Sequence, residues 1–154
     1  MDLQQLEETT ELDILIVESN PADARLIAEA FRDAGLTNEV QLVYDGDEAL
    51  SLLRREGSYH SSTIPDLILL DLNLPRKSGL EILTEIRAME GLDHIPVIII
   101  SGSANPADLR KAYQLRANCY IRKPNSLEEF LKVIQSCYQF WGKAVSLPPK
   151  PTYL

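Results

Sequence analysis

Four residues suited to chemistry each close a short, mostly apolar run. Glu18 follows Ile14-Leu15-Ile16-Val17, Asp71 follows Ile68-Leu69-Leu70, Ser101 follows Val97-Ile98-Ile99-Ile100, and Lys123 follows Cys119-Tyr120-Ile121-Arg122. A carboxylate such as Asp71 can attack phosphorus and keep the resulting acyl phosphate on the protein. Such a transfer chiefly demands neutralisation of the charge on the equatorial oxygens. Glu18 can hold a hard cation directly or through water, and the main-chain carbonyl of Asn73 adds a further oxygen ligand. Lys123 supplies a point cation on a flexible stem, suited to a phosphate oxygen. Ser101 can donate a hydroxyl hydrogen bond to an added phosphoryl oxygen, with Gly102 beside it leaving room. Each also has an ordinary alternative: Asp71 as a cap or loop aspartate, Lys123 as a solvated lysine, Ser101 as a turn serine.

The elements that must position these groups are legible as a pattern. Apolar, β-branched runs recur at 13–18, 40–44, 67–70, 97–100 and 119–121, and segments with helical spacing lie between or after them at 22–34, 47–55, 79–89, 106–115 and 126–141. Five strands alternate with five helices. The first helix has a clear start, with Asn20 placed to cap, Pro21 at the first helical position and Asp23 in the positive first turn, and Gly35 marks its end. Apolar strands joined by helices predict a doubly wound α/β fold, its parallel sheet covered on both faces. In such sheets ligands bind beyond the carboxyl ends of the strands, where Glu18, Asp71, Ser101 and Lys123 are expected.

The composition agrees with one such domain. A chain of 154 residues, 45% hydrophobic and 25% charged, is long enough to bury a core without disulfides or a structural metal. Its net charge of −8 disfavours broad binding to nucleic acid or to an anionic membrane. Seven acids and no base fall within residues 1–23, and the remainder is nearly neutral. Cys119 and Cys137 lack metal-binding spacing, and neither a signal peptide nor a long apolar run precedes them, so a reduced, cytoplasmic protein with packed cysteines is expected. His60 and His94 lie in polar loops and read as solvated. The expected organisation is an acidic lead over 1–11, one domain over 12–142 and a Pro-rich tail over 143–154.

Four motifs in register then make a resemblance specific: Ile14 to Glu18; Ile68-Leu69-Leu70-Asp71-Leu72-Asn73-Leu74-Pro75 with Ser78-Gly79; Pro96 to Gly102; and Tyr120-Ile121-Arg122-Lys123-Pro124. From about Leu12 to Trp141 the chain resembles the receiver domains of two-component response regulators. The resemblance implies a flavodoxin-like sheet of order 2-1-3-4-5 and a non-enzymatic signalling role. It implies Asp71 as phosphoacceptor, Lys123 as the phosphate-binding lysine, Ser101 as the switch hydroxyl and Tyr120 as the switch aromatic. It also implies Mg2+ held by Glu18, Asp71 and the Asn73 carbonyl, and a sensor histidine kinase as phosphodonor. Tyr120 also reads as plain strand packing.

One departure stands out. The family usually has two adjacent acids after the first strand, and this chain has Glu18-Ser19. Ser19 is a doubtful replacement ligand, so weaker Mg2+ binding is expected. Asn20 or Asp23 could substitute through water, although Asp23 is already accounted for as a first-turn helix acid. The polar loop 57–65, the segment Ala117 to Tyr120 and the ending from Phe140 to Pro148 resemble the small response regulators paired with bacterial phytochromes. That resemblance implies a homodimer through the face bearing the fourth and fifth helices. Phe130, Val133, Ile134, Cys137, Tyr138 and Trp141 exceed what one helix face packed on a sheet needs, and extra intramolecular core is the alternative.

Three functional readings follow. The first is a stand-alone receiver phosphorylated on Asp71 that signals through protein contacts. The second is a degenerate receiver, its Mg2+ site weakened at Ser19, acting as a phosphorylation-independent interaction module. The third, a small phosphohydrolase with Asp71 as a transient nucleophile, is disfavoured because Asn73 cannot be the general acid such enzymes carry two residues on.

Overall fold

The computed structural model describes residues 11–150; positions 1–10, nearly all of the acidic lead, and 151–154, the end of the tail, lie outside the described residues. The chain runs β1 (Ile14–Val17), α1 (Pro21–Ala34), β2 (Gln41–Val43), α2 (Gly46–Arg54), β3 (Leu67–Leu70), α3 (Gly79–Ala88), β4 (Val97–Ser101), α4 (Pro106–Gln114), β5 (Cys119–Arg122) and α5 (Leu127–Cys137). All strands pair in parallel, in the order β2-β1-β3-β4-β5. The flavodoxin-like topology expected from the sequence is therefore the one observed.

Successive side chains of a strand point to opposite faces, so an apolar run through a central strand feeds two cores. Ile14 and Ile16 of β1 join Leu67, Leu69, Ile98 and Ile100 under α1 and α5, against Ile27, Phe31, Phe130 and Ile134. Leu15 and Val17 join Ile68, Leu70 and Ile99 on the other face, against Leu50 and Leu53 of α2 and Ile82 and Ile86 of α3. The edge strand β5 is only partly buried.

Each helix begins just beyond the carboxyl end of a strand, and a side chain caps each start: Asn20, Asp45, Ser78, Asn105 and Ser126 accept from first-turn N–H groups. The sharp turns this requires leave their mark. Arg76, between β3 and α3, has φ of +65°. Gly79 is forced by proximity, because a Cβ there would lie 2.3 Å from the Asp71 carbonyl oxygen and 2.7 Å from Leu72 Cα. Its missing side chain lets α3 start directly against the strand end that carries Asp71.

Two regions differ from the sequence expectation. The polar stretch 57–65 contains one 3-10 turn, Gly57–Tyr59, tied down where the Tyr59 hydroxyl donates to Glu48. The last helix leaves α geometry at Cys137 and continues as a π turn over Tyr138–Ala144. Gly142 permits this, since a Cβ would lie 2.8 Å from Tyr138 Cε2 and 3.3 Å from Leu12. The wider turn carries Tyr138 into the core edge-on to Phe31 and leaves Phe140 edge-on to Trp141 at 5.3 Å. Phe130, Ile134, Cys137 and Tyr138 are buried within the chain, while Trp141 packs partly buried on the same core. The apolar surplus proposed as a motive for dimerisation is thus mainly intramolecular core. Beyond Ala144 the chain has no regular secondary structure, Leu147 packs on the core, and Lys150 pairs with Asp13 and Asp66. No described helix is long and apolar enough to cross a membrane.

Candidate functional site

The sheet's own hydrogen bonds continue one residue past three strands and so fix three functional backbones. Glu18 N donates to Val43 O at 3.1 Å, Asp71 N to Val17 O at 3.0 Å, and Lys123 N to Ser101 O at 2.8 Å. Glu18, Asp71 and Ser101 are all nearly fully buried, with exposures of 1%, 4% and 1%. For polar groups at the end of a sheet, such burial demands partners.

Lys123 is the central partner. Its Nζ donates to Glu18 Oε2 at 2.7 Å, to Asp71 Oδ2 at 3.1 Å and to Asp23 Oδ2 at 3.2 Å. The other oxygens of the two buried acids are held by main chain: Asn73 N donates to Asp71 Oδ1 at 3.0 Å, and Asn20 N to Glu18 Oε1 at 3.1 Å. Burial is the main cause that raises the Glu18 carboxyl from 4.5 to about 7, reinforced by Asp71 and offset in part by Lys123. Burial alone would lower the Lys123 ammonium, but Glu18 and Asp71 outweigh it and the pKa stands above the usual lysine range.

Ser19 lies at the rim, its hydroxyl donating to the Asn73 carbonyl at 3.2 Å. It thus engages the carbonyl expected to ligate a cation. Asn20 is spent as the α1 cap, its side chain accepting from Ala22 N and Asp23 N. Asp23, accounted for in the sequence as a helix-dipole acid, is in the first turn of α1 and also pairs with the Lys123 ammonium. A first-turn acid on a helix that starts beyond β1 faces the strand ends, and that was the available signal.

The hydroxyl arm is separate. Ser101 Oγ accepts from Ser103 N at 3.2 Å, and the Tyr120 hydroxyl donates to the Ser103 carbonyl at 3.0 Å. Ser103 also donates its own hydroxyl to Asp108 of α4 at 2.8 Å. Ser103 was not singled out by sequence reasoning, yet it joins Ser101, Tyr120 and α4. Tyr120 is half-buried and packs on the α2/α3-side core, so it has both a packing and a polar role.

The donors present fit a hard divalent cation: the carboxylates of Asp71 and Glu18 and the Asn73 carbonyl are all oxygen. Among the described residues, no three acidic, histidine or cysteine side chains form a ready-made ligand cage. Mg2+ uses one or two carboxylates and keeps several waters.

A parallel sheet of order 2-1-3-4-5 with a buried aspartate, lysine and hydroxyl at its strand ends has the architecture of a receiver. The chain belongs to the response regulator receiver domain family, whose model matches residues 14–135. It is 40% identical over 135 residues to response regulator Rcp1 of Synechocystis sp., covering 88% of this chain and 92% of that protein. Among solved structures it is similar to the phosphorylated cyanobacterial phytochrome response regulator RcpA, with 43% identity and a TM-score of 0.87 over 91% of this chain and all of that one. The Mn2+-bound form of Rcp1 gives 39% identity and a TM-score of 0.85, over 90% of this chain and 99% of that one. The protein is a receiver-domain response regulator of two-component signalling.

Proposed function

We propose that this protein accepts a phosphoryl group on Asp71 from the phosphohistidine of a phytochrome-type sensor histidine kinase in the cytoplasm. The observation that carries the reading is the setting of the Asp71 carboxylate, with one oxygen on Lys123 and the other on the Asn73 N–H. An Asp71 oxygen attacks phosphorus, an O–P bond forms, the P–N bond to the donor imidazole breaks, and the imidazole leaves with its electron pair and takes up a proton. Lys123 remains beside the transferred group and pairs with one of its oxygens. Asp71, Glu18 and the Asn73 carbonyl would hold a divalent cation, which would supply charge neutralisation at the phosphoryl oxygens. Ser101 turns its hydroxyl from Ser103 toward the new anion, which frees the Ser103 N–H and loosens the loop that Tyr120 grips. The pairing with a phytochrome-type kinase is supported by the similarity to RcpA, whose structure is described as that of a phytochrome response regulator.

Output through protein contacts, including a homodimer across α4 and α5, is supported by large apolar side chains left exposed there: Leu109 and Tyr113 on α4 and Leu127 on α5. Light scattering with and without phosphodonor reads that state.

The test is intact-protein mass after incubation with acetyl phosphate, with and without Mg2+, for the native chain, Asp71→Asn and Ser19→Asp. A Mg2+-dependent adduct on the native chain, absent in Asp71→Asn, supports the reading. An adduct confined to Ser19→Asp would instead favour the degenerate receiver.

A further inference from the structure

We infer that Asp23 restores to the cation site the negative charge that Ser19 withholds, holding the cation's water from the first turn of α1. This rests on the reading of Asp71, Glu18 and the Asn73 carbonyl as the cation's donors, and adds a residue to it.

Two observations carry the inference. Asp23 Oδ2 and Asp71 Oδ2 both lie within 3.2 Å of one nitrogen, Lys123 Nζ, so the two carboxylates flank the same small volume. The other nearby candidates are committed elsewhere: Asn20 caps α1, and the Ser19 hydroxyl donates to the Asn73 carbonyl, adding no negative charge.

Asp23 is also built for this position. Pro21 and the Asn20 cap fix the first turn of α1, so the carboxylate needs little ordering on binding. The side chain is about one-third exposed, which leaves it room to hold water on a cation rather than replace that water. With a cation bound, Lys123 would give up part of its hold on Asp23, whose carboxylate would accept from the cation's water.

The test is isothermal titration of Mn2+ into unphosphorylated protein, comparing the native chain, Asp23→Asn, Ser19→Asp and the double variant. Glu29→Gln, an exposed acid further along α1, controls for net charge, and circular dichroism confirms that each variant is folded. The expected result is about tenfold weaker binding in Asp23→Asn, on the scale of losing an outer-shell partner. In the Ser19→Asp background the same change costs no more than about twofold, as does Glu29→Gln, because a carboxylate already stands at position 19 or the charge is remote and screened. Unchanged affinity in Asp23→Asn, an equal loss in both backgrounds, or no Mn2+ binding by the native chain would each overturn the inference. The acetyl phosphate experiment separates the two failures: an Asp71 adduct with Asp23-independent binding sinks only the role of Asp23. Asp23-dependent binding with no adduct sinks the phosphoacceptor reading alone.

Discussion

The sheet carries a poorly exposed cation at each end, and the two are held in opposite ways. At the carboxyl end, Lys123 is shared among three carboxylates. At the amino end, Arg87 of α3 donates to the carbonyls of Asp93, Ile95 and Arg116 and to the Asn118 side chain, all between 2.7 and 3.2 Å. Asn118 in turn accepts from Val97 N, so the fork ties α3 to the starts of β4 and β5. Neutral acceptors around a planar fork make a fixed joint whose loss leaves carbonyls bare. Carboxylates around a flexible ammonium make a set of charges that can be reassigned when a cation or a phosphoryl group arrives. One end is built to stay and the other to change partners.

The largest expected effect is at the changing end: Asp71→Asn abolishes the acetyl phosphate adduct, whereas Arg87→Met leaves its yield as in the native chain, both read by intact mass. Next, Arg87→Met lowers stability by about 2 kcal/mol in urea denaturation, because several carbonyls lose their donors, and Arg87→Lys recovers only part of it. Native stability in Arg87→Met would break the comparison. The third effect depends on pH. Folding raises the Glu18 carboxyl from 4.5 to about 7, so between those values the native state holds a proton that the unfolded chain releases. Its contribution to stability is full below pH 4.5 and is lost as pH rises through 7. In Glu18→Gln, measured in chelator, that part of the decline is absent; a profile parallel to the native one would show that Glu18 ionises freely. The smallest effect belongs to Tyr120→Phe, which removes the bond to Ser103 and costs about 0.5–1 kcal/mol, with faster hydrogen exchange at the Ser103 amide.

The same contrast explains what could be read in the sequence. Strand ends were legible because an acid, a serine or a lysine that interrupts a β-branched run has no packing reason to be there, and sheet topology brings such positions together. The Arg87 fork was not legible, since its acceptors are main-chain carbonyls and carry no residue identity. Asp23 is the first-turn acid the sequence suggests, but its ion pair with Lys123 was not read, because the helix dipole already accounted for it. Ser103 looked like any loop serine, its importance resting on backbone groups. The apolar residues of α5 were over-counted as surface because a π turn, which helical periodicity does not foresee, rotates Tyr138 inward.

That turn also equips the chain with an optical reporter. Trp141 is the single tryptophan, and its neighbour Gly142 lies against Leu12, just before β1 and at the opposite end of that strand from Glu18. Its emission therefore reports whether the carboxyl-terminal segment stays seated on the α1/α5 face. A change in that emission on phosphorylation would show that the signal reaches the α1/α5 face, turning one indole into a gauge of how far it spreads.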